Sequence, residues 1–259
     1  MRRINCIATG AIGIIMIKLV PRIRPGLWAA LVLAGCCLSS SAQDIPIDGQ
    51  KYTQFPHPLQ RRSITSIGIT ATTMPYEITE ELHYRIPAVD VHLLRRISRH
   101  WHADFRAGIQ GLQNHFTVGP HWSKKISHRT SLSLGNDIGY WFAFLNVEGF
   151  RTHANGWQNY PSATIGYRFN KRILVSFRAE AMMTLDINTF AGDIPVTHNY
   201  QLFSGSSYTL ALEQPFYGHK SLTLGFRAIY TKFFWQTWSA FSNFDRDFFY
   251  PQLIVGLIL

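Results

Sequence analysis

Apolar and small or polar side chains alternate along most of the chain after residue 60. In the segment 218–231, for example, Leu222, Leu224 and Phe226 alternate with small and polar residues up to Arg227. A period of two predicts a β-strand with one apolar face. After residue 42 no segment approaches the 18 consecutive apolar residues of a membrane-spanning helix. The pattern therefore predicts an all-β protein.

The alternation is repeated in register. Five segments each begin beside a basic turn, at 60–72, 98–110, 127–139, 170–182 and 219–231. The eighth residue of every segment is apolar, the ninth is glycine or arginine, and the tripeptide Phe-Arg-Ala occurs at this place three times. Such repetition indicates one structural unit used several times. The ninth positions are Gly68, Arg106, Gly135, Arg178 and Arg227.

Five return segments lie between these repeats, at 82–95, 115–124, 159–169, 206–214 and 248–259. The connections after the return segments are short and basic, whereas those at the other end include long predicted loops at 146–158, 186–205 and 236–247. Short turns at one end and long loops at the other are typical of outer-membrane barrels. We therefore predict an antiparallel transmembrane up-and-down β-barrel over residues 61–259, with about ten strands and 8–12 left open.

The composition favours this barrel over a soluble β-sandwich. Charged residues make up 15 % of the chain, below the roughly 25 % of soluble domains, while hydrophobic residues make up 46 % and aromatic residues 14 %. Several segments alternate over ten or more residues, whereas soluble strands average about 5–6. Aromatic clusters at 140–144, 233–238 and 248–250 predict the girdles of a barrel at the two membrane interfaces.

The first 42 residues have the features of a secretory signal peptide, in which Met16 is an alternative start. Basic residues precede an apolar core, and small residues ending at Ala42 offer a cleavage site. A second interpretation is lipidation at Cys36, in a sequence similar to a lipoprotein signal. All three cysteines lie in this region, so its removal leaves no thiol for a disulfide or a metal. Residues 43–60 are then predicted as a short periplasmic segment.

The signal ending in Ala-Gln-Asp, the hairpin repeats and the final strand resemble the small outer-membrane β-barrel proteins of the Bacteroidetes type. This resemblance covers about 43–259. It implies export through the signal peptide, contact with outer-membrane lipid and lipopolysaccharide, insertion by the barrel-assembly machinery, and a monomer. One departure is the C-terminus, since such barrels usually end in an aromatic residue and this chain ends in Leu257-Ile258-Leu259.

The formal net charge of +10 raises the question of nucleic-acid binding. The basic residues do not form one face or one tail; many lie in the N-terminal segment or in the turns between strands. We therefore expect no nucleic-acid partner.

Strand parity predicts where the arginines point. If Leu224 and Phe226 face lipid, Arg227 faces the lumen, because a charged residue on the lipid face costs about 2–4 kcal/mol near the midplane. The same parity predicts inward positions for Asp90, His92 and Glu213, and for a charged layer in the lumen. This layer comprises Arg106, Arg178, Arg227, Asp104, Asp137, Glu180 and His102.

Two functions are compatible with such a layer. A salt-bridged, side-chain-filled lumen predicts a structural or surface-binding protein, whereas an arginine constriction predicts a narrow porin-like channel for small anionic solutes. Barrels of about eight strands are just filled by side chains, and true channels use about 16. Ten strands therefore favour the filled lumen.

An outer-membrane enzyme, either lipid A-modifying or a rim Asp/His protease, is a third hypothesis. The residues predicted at the rim show no spacing with a known mechanism, and no metal-ligand or phosphate-binding motif is present. We therefore expect no catalytic site, no metal and no cofactor. The rim candidates are His115, His153, Asp186, Asp193, His198, Asp245 and Asp247.

Overall fold

The computed structural model describes residues 52–59, 61–75, 85–147, 150–170, 173–196, 200–217, 220–236 and 246–259. The predicted signal peptide at 1–42 lies outside these residues. Within them, no helix is long and apolar enough to cross a membrane. The described strands are β1 (Ser63–Thr73), β2 (Arg85–Arg96), β3 (Trp101–Ile109), β4 (Gln113–Lys125), β5 (Thr130–Val147), β6 (Phe150–Arg168), β7 (Leu174–Ala191), β8 (Ile194–Val196), β9 (Phe203–Pro215), β10 (Ser221–Thr231) and β11 (Phe248–Ile258).

The sheet closes on itself into an antiparallel barrel. Each strand pairs with its neighbour in sequence, except that β8 is a short addition to β7, which then pairs with β9. The last strand pairs with the first, and Ile67 lies opposite Leu257 in this seam. Omitting β8, ten strands form the wall, so the prediction of a ten-stranded antiparallel barrel is confirmed.

The two faces of the wall differ as the alternation predicts. In β1, Ile67 and Ile69 are exposed on the outside, while Thr70 and Thr72 are buried inside. The same alternation continues in β10, where Leu224 and Phe226 are exposed. In these segments the polar and small residues therefore face the lumen, and the large apolar residues cover the exterior.

Three strands are longer than expected. β5, β6 and β7 have 18, 19 and 18 residues, against 9–13 for the other wall strands. The predicted loop 146–158 is wrong, because β6 begins at Phe150 and pairs continuously with β5 up to Val147. The predicted loop 186–205 is wrong in part, since β7 continues to Ala191. Their amides and glycines resemble a loop, yet Ala154 and Gly156 occupy buried inward positions of β6.

The two ends of the barrel are distinct. At one end of the barrel, here called the terminal end, β1 begins and β11 ends. The connections at this end are short turns, at 97–100, 126–129, 169–173 and 216–220. The opposite end, called the far end, contains a cluster of buried apolar residues that includes Trp141, Phe233 and Tyr250. The predicted aromatic girdle is therefore wrong for Trp141, residues 233–235, Phe248 and Tyr250, because inward strand positions and the residues after β10 place them inside. Trp238 lies outside the described residues.

Candidate functional site: the charged lumen

All seven residues of the predicted charged layer occupy inward-facing strand positions. Arg178 of β7 and Arg227 of β10 both lie opposite Thr209 of the intervening strand β9. Arg106 of β3 is opposite His92 on one side and Thr117 on the other. The repeat therefore places the three arginines at similar depth in the lumen.

Arg178 is the centre of the ion-pair network. Its guanidinium lies 2.8 Å from a carboxylate oxygen of Asp137 and 2.8 Å from one of Glu180, and 3.9 Å from Asp104. The side chains of all four residues are at least nine-tenths buried. In this environment a buried charge is tolerated only when it is paired and hydrogen-bonded. Arg178 thus holds together carboxylates from three different strands.

Two histidines extend the network toward the terminal end. His92 Nε2 lies 2.6 Å from Asp104, and His121 Nε2 lies 2.8 Å from Asp137 and 3.7 Å from Asp104. The sequence missed His121, which parity could have found, since it faces inward from β4 directly opposite His102. His102 faces the lumen beside Asp104, but among the described residues no hydrogen bond joins His102 to Asp104 or to His92.

His102 bonds elsewhere. Its Nδ1 lies 3.3 Å from the hydroxyl of Ser123, and its Nε2 accepts a hydrogen bond of 3.1 Å from the Leu59 amide. A serine hydrolase would need a carboxylate on the far side of this imidazole. A backbone amide occupies that place, so the serine–histidine contact has no third catalytic member.

The other two arginines differ in their partners. Arg106 donates to Asp90 at 2.8 Å. Arg227 donates to the hydroxyl of Thr209 at 2.9 Å, and no carboxylate of the described residues lies within 4 Å of its guanidinium. Arg227 therefore has the least compensated charge among the lumen arginines.

These arginines line a cavity between the network and the far end. Its volume is about 80 Å³, which is room for a few water molecules. His115, Tyr160 and Trp235 contribute to its wall, and Tyr160 shares a hydrogen bond of 3.1 Å with His115. The cavity thus has charged groups on one side and aromatic rings on the other.

A cation site is conceivable at Asp104, His121 and Asp137, whose ligand atoms lie within 4.8 Å of one another. Arg178 already supplies a positive charge to both carboxylates at 2.8 and 3.9 Å. His121 also pairs with each carboxylate, at 2.8 Å from Asp137 and 3.7 Å from Asp104. A divalent ion would have to break these contacts and sit beside the guanidinium, so we assign no metal to this cluster.

The N-terminal residues 52–59, here called the inner segment, close the lumen at the terminal end. The carboxylate of Glu213, in β9, accepts hydrogen bonds from the backbone amides of Gln54 at 2.9 Å and Phe55 at 3.0 Å. The Phe55 ring packs beside Gly166, where an added Cβ would come within 2.6 Å of it. Part of the predicted periplasmic segment 43–60 thus lies against the inward face of the wall.

Residues 233–236, here called the mouth segment, occupy the far end. All four are buried. The Trp235 ring stacks on His115 at 5.3 Å, and the backbone carbonyl of Gln236 accepts a hydrogen bond of 2.5 Å from the Gln113 side chain. Gln236 also bonds to Thr72 in β1. Two segments of the chain therefore lie inside the lumen, one near each end of the barrel.

The rim residues considered for catalysis are dispersed. His115 lies in the lumen, and His153 stacks on Phe190 at 4.5 Å. Asp186 accepts a hydrogen bond of 2.7 Å from Asn188, while Asp193 and Asp247 are exposed. Among the described members of this set, none is bonded to another. His198 and Asp245 lie outside the described residues.

No protein-family model matches the chain, and no curated protein matches it. Solved structures similar to it include outer-membrane β-barrel proteins. The KdgM porin is 9 % identical, with 76 % of this chain and 97 % of that chain covered and a TM-score of 0.37. The translocator domain of autotransporter NalP from Neisseria meningitidis is 10 % identical, with 90 % and 96 % covered and a TM-score of 0.39. The P. putida toluene transporter TodX is 8 % identical, with 68 % and 65 % covered and a TM-score of 0.32. The fold assignment rests on the strand pairing itself.

Proposed function

We propose that the protein is a monomeric integral outer-membrane barrel with a closed lumen and a structural or surface-binding role. The observation that supports this most directly is the filling of both ends by the inner and mouth segments, with the salt-bridged layer between them. A lumen occupied in this way does not provide a continuous aqueous path. The proposal includes no catalytic activity, because the His–Asp contacts of the lumen are tied to Arg178 and contain no nucleophile.

The exterior supports insertion into a bilayer. Large apolar side chains such as Phe105, Ile165 and Leu253 are exposed around the wall. Charged residues occupy outward positions near the ends of the described strands, as Arg95 and Lys124 do, and in the extension of β7, where Asp186 lies opposite outward-facing Trp157. A soluble protein rarely exposes so extensive an apolar surface, whereas a lipid-facing belt requires it. Lipid and lipopolysaccharide are then its immediate neighbours.

Two measurements on the same preparation test this proposal. The outer-membrane fraction is run on SDS gels with and without boiling, and the purified protein is then reconstituted in planar bilayers. We expect a faster-migrating unboiled band and no regular conductance steps. Recovery as a soluble protein without a heat shift would refute the membrane barrel, and reproducible steps from the wild type would refute the closed lumen.

A narrow channel for small anions is the second candidate, and Arg227 is the observation that favours it. Its guanidinium faces the cavity without a carboxylate partner, so an anion entering there would meet uncompensated positive charge. This function requires displacement of both closing segments. We expect anion-selective steps from a variant that lacks 52–59 and carries Trp235→Ala, and we expect Arg227→Met in that background to abolish the selectivity. Unselective steps would contradict the channel hypothesis.

A further inference from the structure

The four turns at the terminal end of the barrel carry charged side chains of one sign. Each of its four turns, with the residues flanking it, contains lysine or arginine, and none contains aspartate or glutamate. The connections of the far end contain several acidic residues, which are Glu77, Glu80, Glu81, Glu148, Asp193, Asp245 and Asp247. A surface with only positive side chains attracts anionic partners.

A cleft lies in this basic surface, between the inner segment and two neighbouring turns. Its volume is about 840 Å³, which is within the roughly 300–1,000 Å³ range of small-molecule sites. Part of its wall is apolar, from Pro58, Leu59 and Ile97. The cations lining it come from three places in the sequence and are Arg96, Arg99, Lys124 and Lys125.

The cleft has a fixed wall. Arg96 donates a hydrogen bond of 3.2 Å to the Leu59 carbonyl, which ties the inner segment to the end of β2. The imidazole of His100 lies 3.0 Å from the Ser123 carbonyl and ties the turn 97–100 to β4. Leu59 itself is packed in a buried apolar cluster with Ile64 and others. The inner segment thus forms one side of the cleft as well as closing the lumen.

We propose that this cleft binds the headgroup of an anionic phospholipid, whose acyl chains continue along the outer face of the wall. The inference depends on the membrane insertion proposed above. Trp101 of β3 and Trp122 of β4 pair with each other beside the cleft, and Trp101 is exposed. Tryptophan is enriched at headgroup level in membrane proteins.

The exposed tips of the turns agree with a lipid occupant. Beside the basic residues of this end, Ile126, Phe169 and Tyr217 are exposed. Alternation of cations with large apolar side chains suits the boundary between phosphates and acyl chains. A small soluble anion would complement the charges but would leave these apolar side chains in water. We therefore assign the cleft to phospholipid.

A matched pair of double variants tests the assignment. Arg99→Gln/Lys124→Gln removes two charges inside the cleft, and Arg129→Gln/Lys220→Gln removes one arginine and one lysine at the same end but outside it. Each variant and the wild type, in zwitterionic detergent, is titrated with dioleoylphosphatidylglycerol and with the phosphatidylcholine of the same chains. Bound lipid is counted by native mass spectrometry.

The cleft variant lacks two cations that attract an anionic lipid, so we expect it to bind phosphatidylglycerol roughly thirtyfold more weakly. The control should stay close to the wild type, and phosphatidylcholine should bind weakly to all three. Equal losses in both variants, or no preference for phosphatidylglycerol, would overturn the proposal. If inorganic phosphate displaced phosphatidylglycerol with an affinity equal to that of the lipid, the cleft would be a general anion site. That result would also overturn the proposal.

The heat shift on SDS gels separates this outcome from failure of the proposed function. A wild type without a heat shift refutes the membrane barrel. A wild type with a heat shift but no lipid preference refutes the cleft assignment alone.

Discussion

Glu213 is the residue on which closure of the terminal end depends most directly. One of its carboxylate oxygens accepts the Gln54 amide at 2.9 Å, and the other accepts the Phe55 amide at 3.0 Å. The substitution Glu213→Gln keeps the shape of the side chain but replaces one acceptor oxygen with an NH₂ group. One backbone amide of the inner segment would then face a donor.

The loss of a buried hydrogen bond to a carboxylate costs about 1.5–3 kcal/mol. A cost of about 2 kcal/mol shifts the equilibrium between the docked and undocked inner segment by roughly thirtyfold. Hydrogen–deuterium exchange of the folded barrel in micelles, followed by mass spectrometry, measures this shift in the peptide that contains 52–59. We expect its amides to exchange roughly thirtyfold faster in the variant, while peptides from the wall strands keep their wild-type rates.

Thr223→Ala is the control. Thr223 belongs to the barrel wall, and its hydroxyl donates a hydrogen bond of 3.3 Å to the same carboxylate. This variant removes a contact of Glu213 without removing one from the inner segment, so a much smaller change is expected. Unchanged exchange in Glu213→Gln would refute the argument that these two hydrogen bonds hold the segment. Equal acceleration in all strands would show that the whole barrel has loosened.

Three further predictions concern the lumen. Arg178→Met leaves its carboxylate partners without their shared cation and should lower the free energy of unfolding, measured in urea, by about 3–5 kcal/mol. Arg227→Met should lower it clearly less, and equal losses in the two variants would contradict the network as described. Gly166→Ala should release the inner segment in the exchange experiment, because its Cβ meets a ring at 2.6 Å, while Gly256→Ala, with its first contact at 3.6 Å, should leave the segment docked. Trp235→Ala removes a buried ring from the mouth segment and should cost about 3–5 kcal/mol, seen as a lower temperature at which the SDS-resistant band disappears; an unchanged temperature would show that the mouth segment does not stabilise the barrel.

Strand number and the direction of the arginines were predictable from the sequence for a physical reason. Lipid and lumen impose opposite demands on successive side chains, so a membrane strand alternates more strictly than a soluble one. The recurring Phe-Arg-Ala tripeptide aligned three strands at once and placed Arg106, Arg178 and Arg227 on the same face and at similar depth.

The closing segments were not predictable in this way. Residues 52–59 and 233–236 contain no alternation, and their positions depend on contacts such as Glu213 with Phe55 that are distant in sequence. The continuation of β5 and β6 was missed because their outer ends include polar outward residues such as Arg151 and Asn155. An apolar outward face is required only where lipid is present, and these ends do not show it.

The seam between β1 and β11 has a consequence for the order of assembly. Ser66 and Ile258 pair although they are about 190 residues apart, and closing a loop of that length costs about 5 kcal/mol of chain entropy. No contact between residues close in sequence offsets this entropy cost in the seam. The seam therefore forms after the hairpins that bring its two strands together. The inner segment precedes β1 directly in the sequence. Its residue Leu59 belongs to the same buried apolar cluster as Ile258 of the last strand. Docking of this segment therefore completes only when the final strand has arrived, and it secures the seam from within against reopening.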